Sequence, residues 1–204
     1  MLLSSEQRNL LETSANLYNQ SLWRVTDYLE SRGLSLDFAL GENLGYVENP
    51  LPGQEQFSGR LSIPYVTRAG CVNLKFRSID EGSGPKYLNL PGFETNLYHL
   101  QSFFEAHDFM CVAEGEIDAL SLASVGLPSI GVPGVKAWKP FYRRCFDDYP
   151  IIYVFCDGDE PGRDFGSFLA REVRARPIYM PDGQDVNSML VKEGPEWLRT
   201  RISM

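Results

Sequence analysis

The second half of the chain alternates short apolar runs with amphipathic segments, and this alternation restricts the fold more than any other feature. The runs "FMCVA", "PSIGV", "IIYVFC" and "PIYM" are typical of buried strands. The segments between and after them favour helices over residues 115–125, about 136–146, 162–174, 186–192 and 195–201. Strands that alternate with helices form a mostly parallel sheet flanked by helices, which predicts an α/β fold.

The first half has a different pattern. Residues 4–19 and 21–32 favour two helices, with Ser21 as a cap and Gly33 at the end of the second. "RLSIPYV" and "CVNLKFRSI" around the turn "TRAG" predict two antiparallel strands, and "GSGPKYLNLPG" is interpreted as a loop. We therefore expect a small α+β N-terminal subdomain over residues 1–105 and the parallel-sheet domain over residues 106–204.

Charge is unevenly distributed along the chain. The formal net charge of −8 argues against nonspecific coating of nucleic acid, because such binding depends on cations that displace the counterions of phosphates. Between residues 57 and 87, however, there are five cations and two acids, whereas residues 105–165 contain eleven acids and five cations. The first region is suited to anionic ligands and the second to cationic ones.

Acids follow three of the predicted strands. Glu114 follows the first, Asp157 and Asp159 follow the third, and Asp185 follows the fourth after "PDGQ". Ligands of an open parallel sheet bind beyond the carboxyl ends of its strands, so we expect these acids to converge at one edge. Asp118, four residues after Glu114 and in the first turn of the next predicted helix, is expected to face the same crevice.

Carboxylates that gather without matching cations have raised pKa values unless a cation neutralises them. Mg²⁺ prefers carboxylate oxygens and commonly also holds substrate phosphates, and two such ions can assist a phosphoryl transfer. Taken singly, each acid has a plainer interpretation: Asp118 as a favourable charge in a helix's first turn, "DGDEPG" as a turn, and Glu114 as a solvated strand end. Their joint placement on three strand ends favours the metal site.

Other residue types exclude several alternatives. The four cysteines are widely spaced without a CxxC pair, and there are only two histidines, so no zinc site is expected. No apolar run approaches the roughly 20 residues that span a bilayer, and the N-terminus lacks the pattern of a secretory signal. We therefore expect a cytoplasmic protein with no membrane partner.

Several segments together resemble a known family. "VAEGEIDALSLASVGLPSIGVPG", "VFCDGDEPGRDFG" and "PDGQDVNSML" resemble the Toprim domain of DnaG-type primases, topoisomerases and some nucleases. "GRLSIPYVTRAGCVNLKFRSID" and "GPKYLNLPGFETNLYHL" resemble the N-terminal part of the primase catalytic core. The resemblance covers about residues 17–198 and implies a compact, phage-like DNA primase. Such an enzyme is a DNA-directed RNA polymerase that makes short RNA primers on single-stranded DNA by magnesium-dependent nucleotidyl transfer in DNA replication.

The resemblance also implies roles for individual residues. Glu114, Asp157 and Asp159 correspond to the catalytic acids. Mg²⁺, for which Mn²⁺ can substitute, would be held by Glu114, Asp118, Asp157, Asp159 and Asp185. Template or nucleotide would be contacted by Arg60, Arg77, Lys86, Asn89 and Arg163.

Two further basic features are given structural interpretations. Lys75 alternates with Leu74 and Phe76, as a solvent-facing position on a half-buried strand would. "KAWKPFYRRCF" interleaves bases with aromatic residues, and an amphipathic helix is favoured over contact with single-stranded DNA.

The chain departs from the pattern of full-length primases. It shows neither a cysteine/histidine zinc module nor a helicase-docking helical domain, and Asn187 stands where an aspartate is usual. The expected partners are single-stranded DNA and ribonucleoside triphosphates, with a replicative helicase or a separately encoded zinc-binding primase subunit. Two alternatives stay open: a Toprim metal-dependent nuclease, and a noncatalytic DNA-binding replication accessory protein. A topoisomerase is disfavoured, because the chain is too short for a strand-passage gate.

Overall fold

The chain folds into two compact units. The computed structural model describes residues 3–80, 82, 84–105 and 108–202. The boundary between the two units in the sequence lies between Thr95 and Asn96. The boundary expected from the sequence lies ten residues later, and it adjoins residue 106, outside the described residues. Residues 96–105 belong to the second unit because Leu97 is buried in its core and Tyr98 forms a β-bridge with Gly131.

The described residues of the first unit form three α-helices: α1 (Ser5–Asn19), α2 (Thr26–Ser31) and α3 (Leu36–Gly41). Ser4 and Gln7 form a reciprocal capping box at the start of α1, a device worth about 1 kcal/mol. The single helix expected over residues 21–32 is instead a 3₁₀ turn (Leu22–Val25) followed by α2. Ser21 does not cap it, because its hydroxyl donates to Glu48 Oε2 at 3.3 Å.

The sheet of the first unit is antiparallel, with its four strands in sequence order: β1 (Gly45–Tyr46), β2 (Arg60–Thr67), β3 (Gly70–Ser78) and β4 (Tyr87–Asn89). The expected pair around "TRAG" is confirmed as β2 and β3, which pair from Arg60↔Ser78 to Thr67↔Gly70 with one shift of register between Tyr65 and Val66. β4 lies within the segment interpreted as a loop and pairs with β3. Beneath the sheet, Phe57 and Phe76 stack with ring centroids 3.8 Å apart.

The sheet of the second unit is parallel, in the order β6-β5-β7-β8. Its strands are β5 (Phe109–Ala113), β6 (Ser129–Gly131), β7 (Ile151–Cys156) and β8 (Arg176–Tyr179). Its helices are α4 (Glu116–Ser124), α5 (Glu160–Val173), α6 (Val186–Glu193) and α7 (Pro195–Arg199). The expected α/β class is confirmed.

Successive residues of β7 point to opposite faces of the sheet, and each face is covered. Val154 packs in one core with Phe165 and Leu169 of α5. Phe155 packs in the other with Val186 of α6 and Leu122 of α4. Strands buried on both faces consist of continuous apolar runs, which explains the pattern that identified them in the sequence.

One expected helix of this unit is not α-helical. The segment expected as a helix over residues 136–146 forms two 3₁₀ segments, Val135–Ala137 and Pro140–Phe146. Trp138 lies between them and packs against Phe146, with ring centroids 6.0 Å apart. Pro140 cannot donate a helical hydrogen bond, which disfavours a continuous α-helix here. No described helix combines the length and the apolar character needed to cross a membrane.

Candidate functional site

The acids of the second unit lie where its parallel strands end. Glu114 directly follows β5 and Asp157 directly follows its neighbour β7. The backbone N–H of Asp157 donates to Glu114 Oε1 at 3.3 Å. The expected convergence of the first and third strand ends is therefore present as a direct contact.

Two more acids begin helices at the same edge. Asp159 caps α5, where its Oδ1 accepts from Gly162 N at 2.8 Å. Asp185 caps α6 in a capping box, where its Oδ1 accepts from Ser188 N at 2.7 Å. Each bond uses one carboxylate oxygen, and the positive end of the helix dipole stabilises the charge at this position.

Backbone contacts join the loop after β7 to the loop after β8. Gly158 N donates to Gln184 O at 2.8 Å, and Gly183 N donates to Gly158 O at 2.9 Å. A Cβ atom on Gly158 would lie 1.9 Å from Pro181 O, so only glycine allows the two loops to approach this closely. The loops line an open cavity of about 210 Å³, formed by Asp157, Gly158, Asp159, Gly183, Gln184 and Asp185.

Asp118 lies on α4 and is tied to the start of α6. Its Oδ1 accepts from Asn187 N at 3.1 Å. Asn187 itself is buried, and its Nδ2 donates to Ser121 Oγ at 2.9 Å. Asn187 therefore connects α4 to α6 beside the acids, a role that the sequence gives no signal for because the partners lie 66 and 69 residues away.

The neighbouring acids affect the pKa of the Glu114 carboxyl. Burial raises the pKa of the Glu114 carboxyl, and the negative charges of Asp159 and Asp118 raise it further against the lowering effect of the Asp157 N–H. The Cys156 thiol is also affected, since burial first and then Glu114 and Asp157 raise its pKa to about 12. The acids therefore interact with one another as like charges.

The carboxylate oxygens of this site suit a hard divalent cation, although the side chains alone do not surround a metal position. Within the described residues, no group of three or more histidine, cysteine, aspartate or glutamate side chains is arranged to hold a metal ion. Mg²⁺ is commonly held by only one or two carboxylates together with waters and substrate phosphates. Burial is the main cause of the raised pKa of Glu114, and a cation would relieve the repulsion from Asp159 and Asp118 that raises it further.

Two of the basic candidates, Arg77 and Lys86, lie around Tyr87 on β4, together with Lys75. Arg77, on β3 and only 6% exposed, donates from Nε to Tyr28 OH at 2.8 Å and from Nη1 to Tyr87 OH. The Nζ atoms of Lys75 and Lys86 lie 4.4 and 6.0 Å from the centroid of the Tyr87 ring. Tyr87 and Tyr28 were not among the predicted residues, although Tyr87 stands within the "PKYLN" motif.

The interpretation of Lys75 as a solvent-facing position is wrong. Lys75 is only 9% exposed, because the second face of β3 is covered as well: its Nζ lies over the Tyr87 ring, and its partner on β2, Ile63, is buried. Arg60, also buried, donates from Nη1 to Pro85 O at 2.9 Å, and Lys86 and Asn89 are exposed. Arg163, in the second unit, is exposed in the first turn of α5, and among the described residues its side chain makes no ion pair.

Comparison with known proteins gives a consistent result. A sequence model described as Toprim-like matches residues 111–190. The "Gene 57 protein" of Mycobacterium phage D29 is 38% identical over 152 residues, which cover 72% of this chain and 99% of that protein. A DNA primase of Pseudomonas putida is 26% identical over 95% of this chain but only 37% of the primase, so the chain spans little more than a third of that relative's length.

Solved structures share the fold. The Aquifex aeolicus primase fragment with zinc-binding and RNA polymerase domains superimposes with a TM-score of 0.80 at 23% identity, over 98% of this chain and 61% of that one. The DnaG primase catalytic domain bound to single-stranded DNA superimposes with a TM-score of 0.77 at 23% identity, over 96% and 77% of the two chains.

Proposed function

This chain belongs to the family of DnaG-type primase catalytic cores with a Toprim domain, and on that premise we propose that it synthesises short RNA primers on single-stranded DNA. The single observation that supports the proposal most is the arrangement of the acids. Glu114 and Asp157 are in hydrogen-bond contact, and Asp157, Asp159 and Asp185 line one cavity at the carboxyl edge of the parallel sheet. Phosphoryl transfer depends on positioning and on stabilisation of charge, which such an edge supplies.

The proposed reaction joins two ribonucleotides. The 3′-oxygen of the growing strand attacks the α-phosphorus of the incoming triphosphate, the bond to pyrophosphate breaks, and the hydroxyl proton is transferred to a base. Glu114 is the proposed base, because burial and its neighbours Asp159 and Asp118 raise its pKa. A carboxylate with a raised pKa is a more effective proton acceptor near neutral pH. The Asp157 N–H fixes the position of Glu114 Oε1 for this role.

Mg²⁺, or Mn²⁺ in its place, is the proposed cofactor, with Asp157, Asp159 and Asp185 as its principal ligands and Glu114 and Asp118 beside them. When bound, the metal would supply positive charge to the oxygens of the transferring phosphate. Asp159 and Asp185 are each held in one orientation by their cap hydrogen bonds, so their carboxylates are already positioned before the cation arrives.

Arg60, Arg77, Lys86 and Asn89 are the proposed contacts to template or nucleotide in the first unit, and Arg163 in the second. Support for Arg77 comes from its two tyrosine partners, which hold the guanidinium in one geometry. A planar guanidinium that is already oriented loses little entropy when it binds a phosphate in bidentate fashion. Arg163 makes no described ion pair, which leaves it able to contact a phosphate.

The test incubates the protein with single-stranded DNA, labelled ribonucleoside triphosphates and Mg²⁺ or Mn²⁺. Asp159→Asn is the informative variant, because asparagine caps a helix as well as aspartate does but carries no charge. Asp164→Asn, an exposed acid on the same helix, is the matched control. We expect labelled oligomers from the wild type and the control, at least about a hundredfold fewer from Asp159→Asn, and equal melting temperatures.

The other outcomes would overturn the proposal. Shortening of the template without labelled products would identify a metal-dependent nuclease. Magnesium-independent DNA binding with neither activity would identify an accessory protein. Adding a zinc-binding primase subunit or a replicative helicase to the same assay tests whether either proposed partner raises the yield of primers.

A further inference from the structure

A second cavity lies at the opposite edge of the parallel sheet, where β7 and β8 begin. Its volume is about 350 Å³, and its floor includes Ile152 and Val173. Three arginines line it: Arg143 from the 3₁₀ segment Pro140–Phe146, Arg174 directly after α5, and Arg176 at the first position of β8. Because β7 has six residues, this edge is about 20 Å from the acids at the other end of the strand.

The arginines of this cavity are only partly neutralised by the acids beside them. Two acids, Asp147 and Glu172, also line it, so the side chains carry an excess of one positive charge. Glu172 Oε2 accepts from Trp138 Nε1 at 3.3 Å. In the part of the chain that the structure describes, none of the three guanidinium groups forms an ion pair or a side-chain hydrogen bond. All three arginines are exposed.

The backbone of Arg174 has an uncommon conformation for an arginine. Arg174 ends α5 with a φ of 56°, in the left-handed region. Glycine is the usual residue at this point of a helix end, because any side chain strains the backbone there. Arg174 thus brings its guanidinium to the cavity from a position where glycine would be less strained, and a residue held in such a conformation is a candidate for a functional role.

We propose that this arginine cavity, formed by Arg143, Arg174 and Arg176, binds phosphate groups of a nucleotide or a nucleic-acid strand. Guanidinium groups bind phosphate oxygens in bidentate pairs, and the open, charged rim leaves room for an anion that continues into solvent. The site is separate from the acidic edge, and its binding requires neither a divalent cation nor the proposed primase activity.

The test is a titration followed by the amide NMR shifts of the full chain, in EDTA so that no divalent cation takes part. One arm uses inorganic tripolyphosphate, and the other uses a short oligodeoxythymidylate. Shifts are expected at residues 143–152 and 172–176 in at least one arm. Arg143→Gln, Arg176→Gln and Arg174→Gly should each weaken the affinity that these shifts report by about fivefold to tenfold.

The variants separate binding from folding. Arg174→Gly removes the guanidinium and also relieves the left-handed backbone, so its melting temperature should stay the same or rise while phosphate binding weakens. Arg144→Gln is the matched control, because Arg144 is the exposed neighbour of Arg143 and does not line the cavity. A response to tripolyphosphate identifies free phosphates as ligands, and a response to the oligonucleotide alone identifies a strand. Absence of shifts at these residues in both arms, or equal affinity of Arg144→Gln and Arg174→Gly, would overturn the proposal.

Discussion

Asn187→Asp tests whether Asn187 is a structural tie rather than a weakened metal ligand. An aspartate is the residue that the resemblance to primases leads one to expect at this position, so the substitution would restore a ligand if the position faced a metal. In the structure, however, Asn187 is 3% exposed and donates from Nδ2 to Ser121 Oγ. The Ser121 hydroxyl donates its own hydrogen to Ile117 O at 2.8 Å, so it needs a donor opposite it. A carboxylate cannot provide one.

The expected cost follows from these contacts. Asn187→Ala loses the hydrogen bond to Ser121 and should lower the free energy of unfolding by about 1 to 2 kcal/mol. Asn187→Asp adds a buried charge beside Asp118, whose Oδ1 lies 3.1 Å from the Asn187 N atom. Because an uncompensated buried charge costs more than a lost hydrogen bond, we expect a total of about 2 to 4 kcal/mol at neutral pH.

The assay is urea unfolding in EDTA, with wild type, Asn187→Ala and Asn187→Asp measured at several pH values. Burial and the Asp118 charge should raise the pKa of the new carboxyl in the folded state above its unfolded value of about 4. The destabilisation should therefore grow as the pH rises from about 4 and disappear below it, whereas that of Asn187→Ala should not change with pH. If Asn187→Asp is as stable as wild type at neutral pH, the side chain does not make the contacts described.

Three further predictions follow from other contacts. Gly158→Ala should destabilise the second unit by about 2 kcal/mol or more in thermal unfolding, because the new Cβ would meet Pro181 O; Gly41→Ala, at an open position on α3, should cost nothing. Glu114→Gln should raise the melting temperature in EDTA near neutral pH. The pKa of Glu114 is raised in the folded state, so its ionised form destabilises the protein above the unfolded pKa, and the gain should disappear below about pH 4. An equal gain at all pH values would contradict this. Tyr87→Phe should lower the free energy of unfolding by about 1 to 2 kcal/mol, because buried Arg77 loses one acceptor, and no change in urea unfolding would contradict the contact.

The sequence was sufficient for the parts of the fold that depend on local pattern. The strands expected over Phe109–Ala113 and Ile151–Cys156 have those bounds in the structure, because each is a short, continuous apolar run that ends at an acid. The convergence of Glu114 and Asp157 followed from topology, since parallel strand ends share an edge.

The remainder depends on contacts between residues distant in sequence. β4 is only three residues long, and its register with β3 decides that it is a strand. The apolar period of residues 136–146 fits a helix, but it does not register Pro140, which interrupts the helical hydrogen bonds inside that segment. Burial of Lys75 was missed because alternation along one strand does not reveal whether both of its faces are covered.

The structure also offers a second explanation for how several neighbouring carboxylates are stabilised at this edge despite their mutual repulsion. From the sequence, a bound cation was the explanation for several neighbouring carboxylates. In the structure, Asp159 and Asp185 each cap a helix, and Asp118 lies in the first turn of a third. Three helices thus begin at one edge of the sheet, and their amide groups and dipoles stabilise negative charge there without a metal. The protein can therefore hold its acids in place without a cation, and the proposed metal, arriving with a substrate phosphate, would meet ligands that are already oriented.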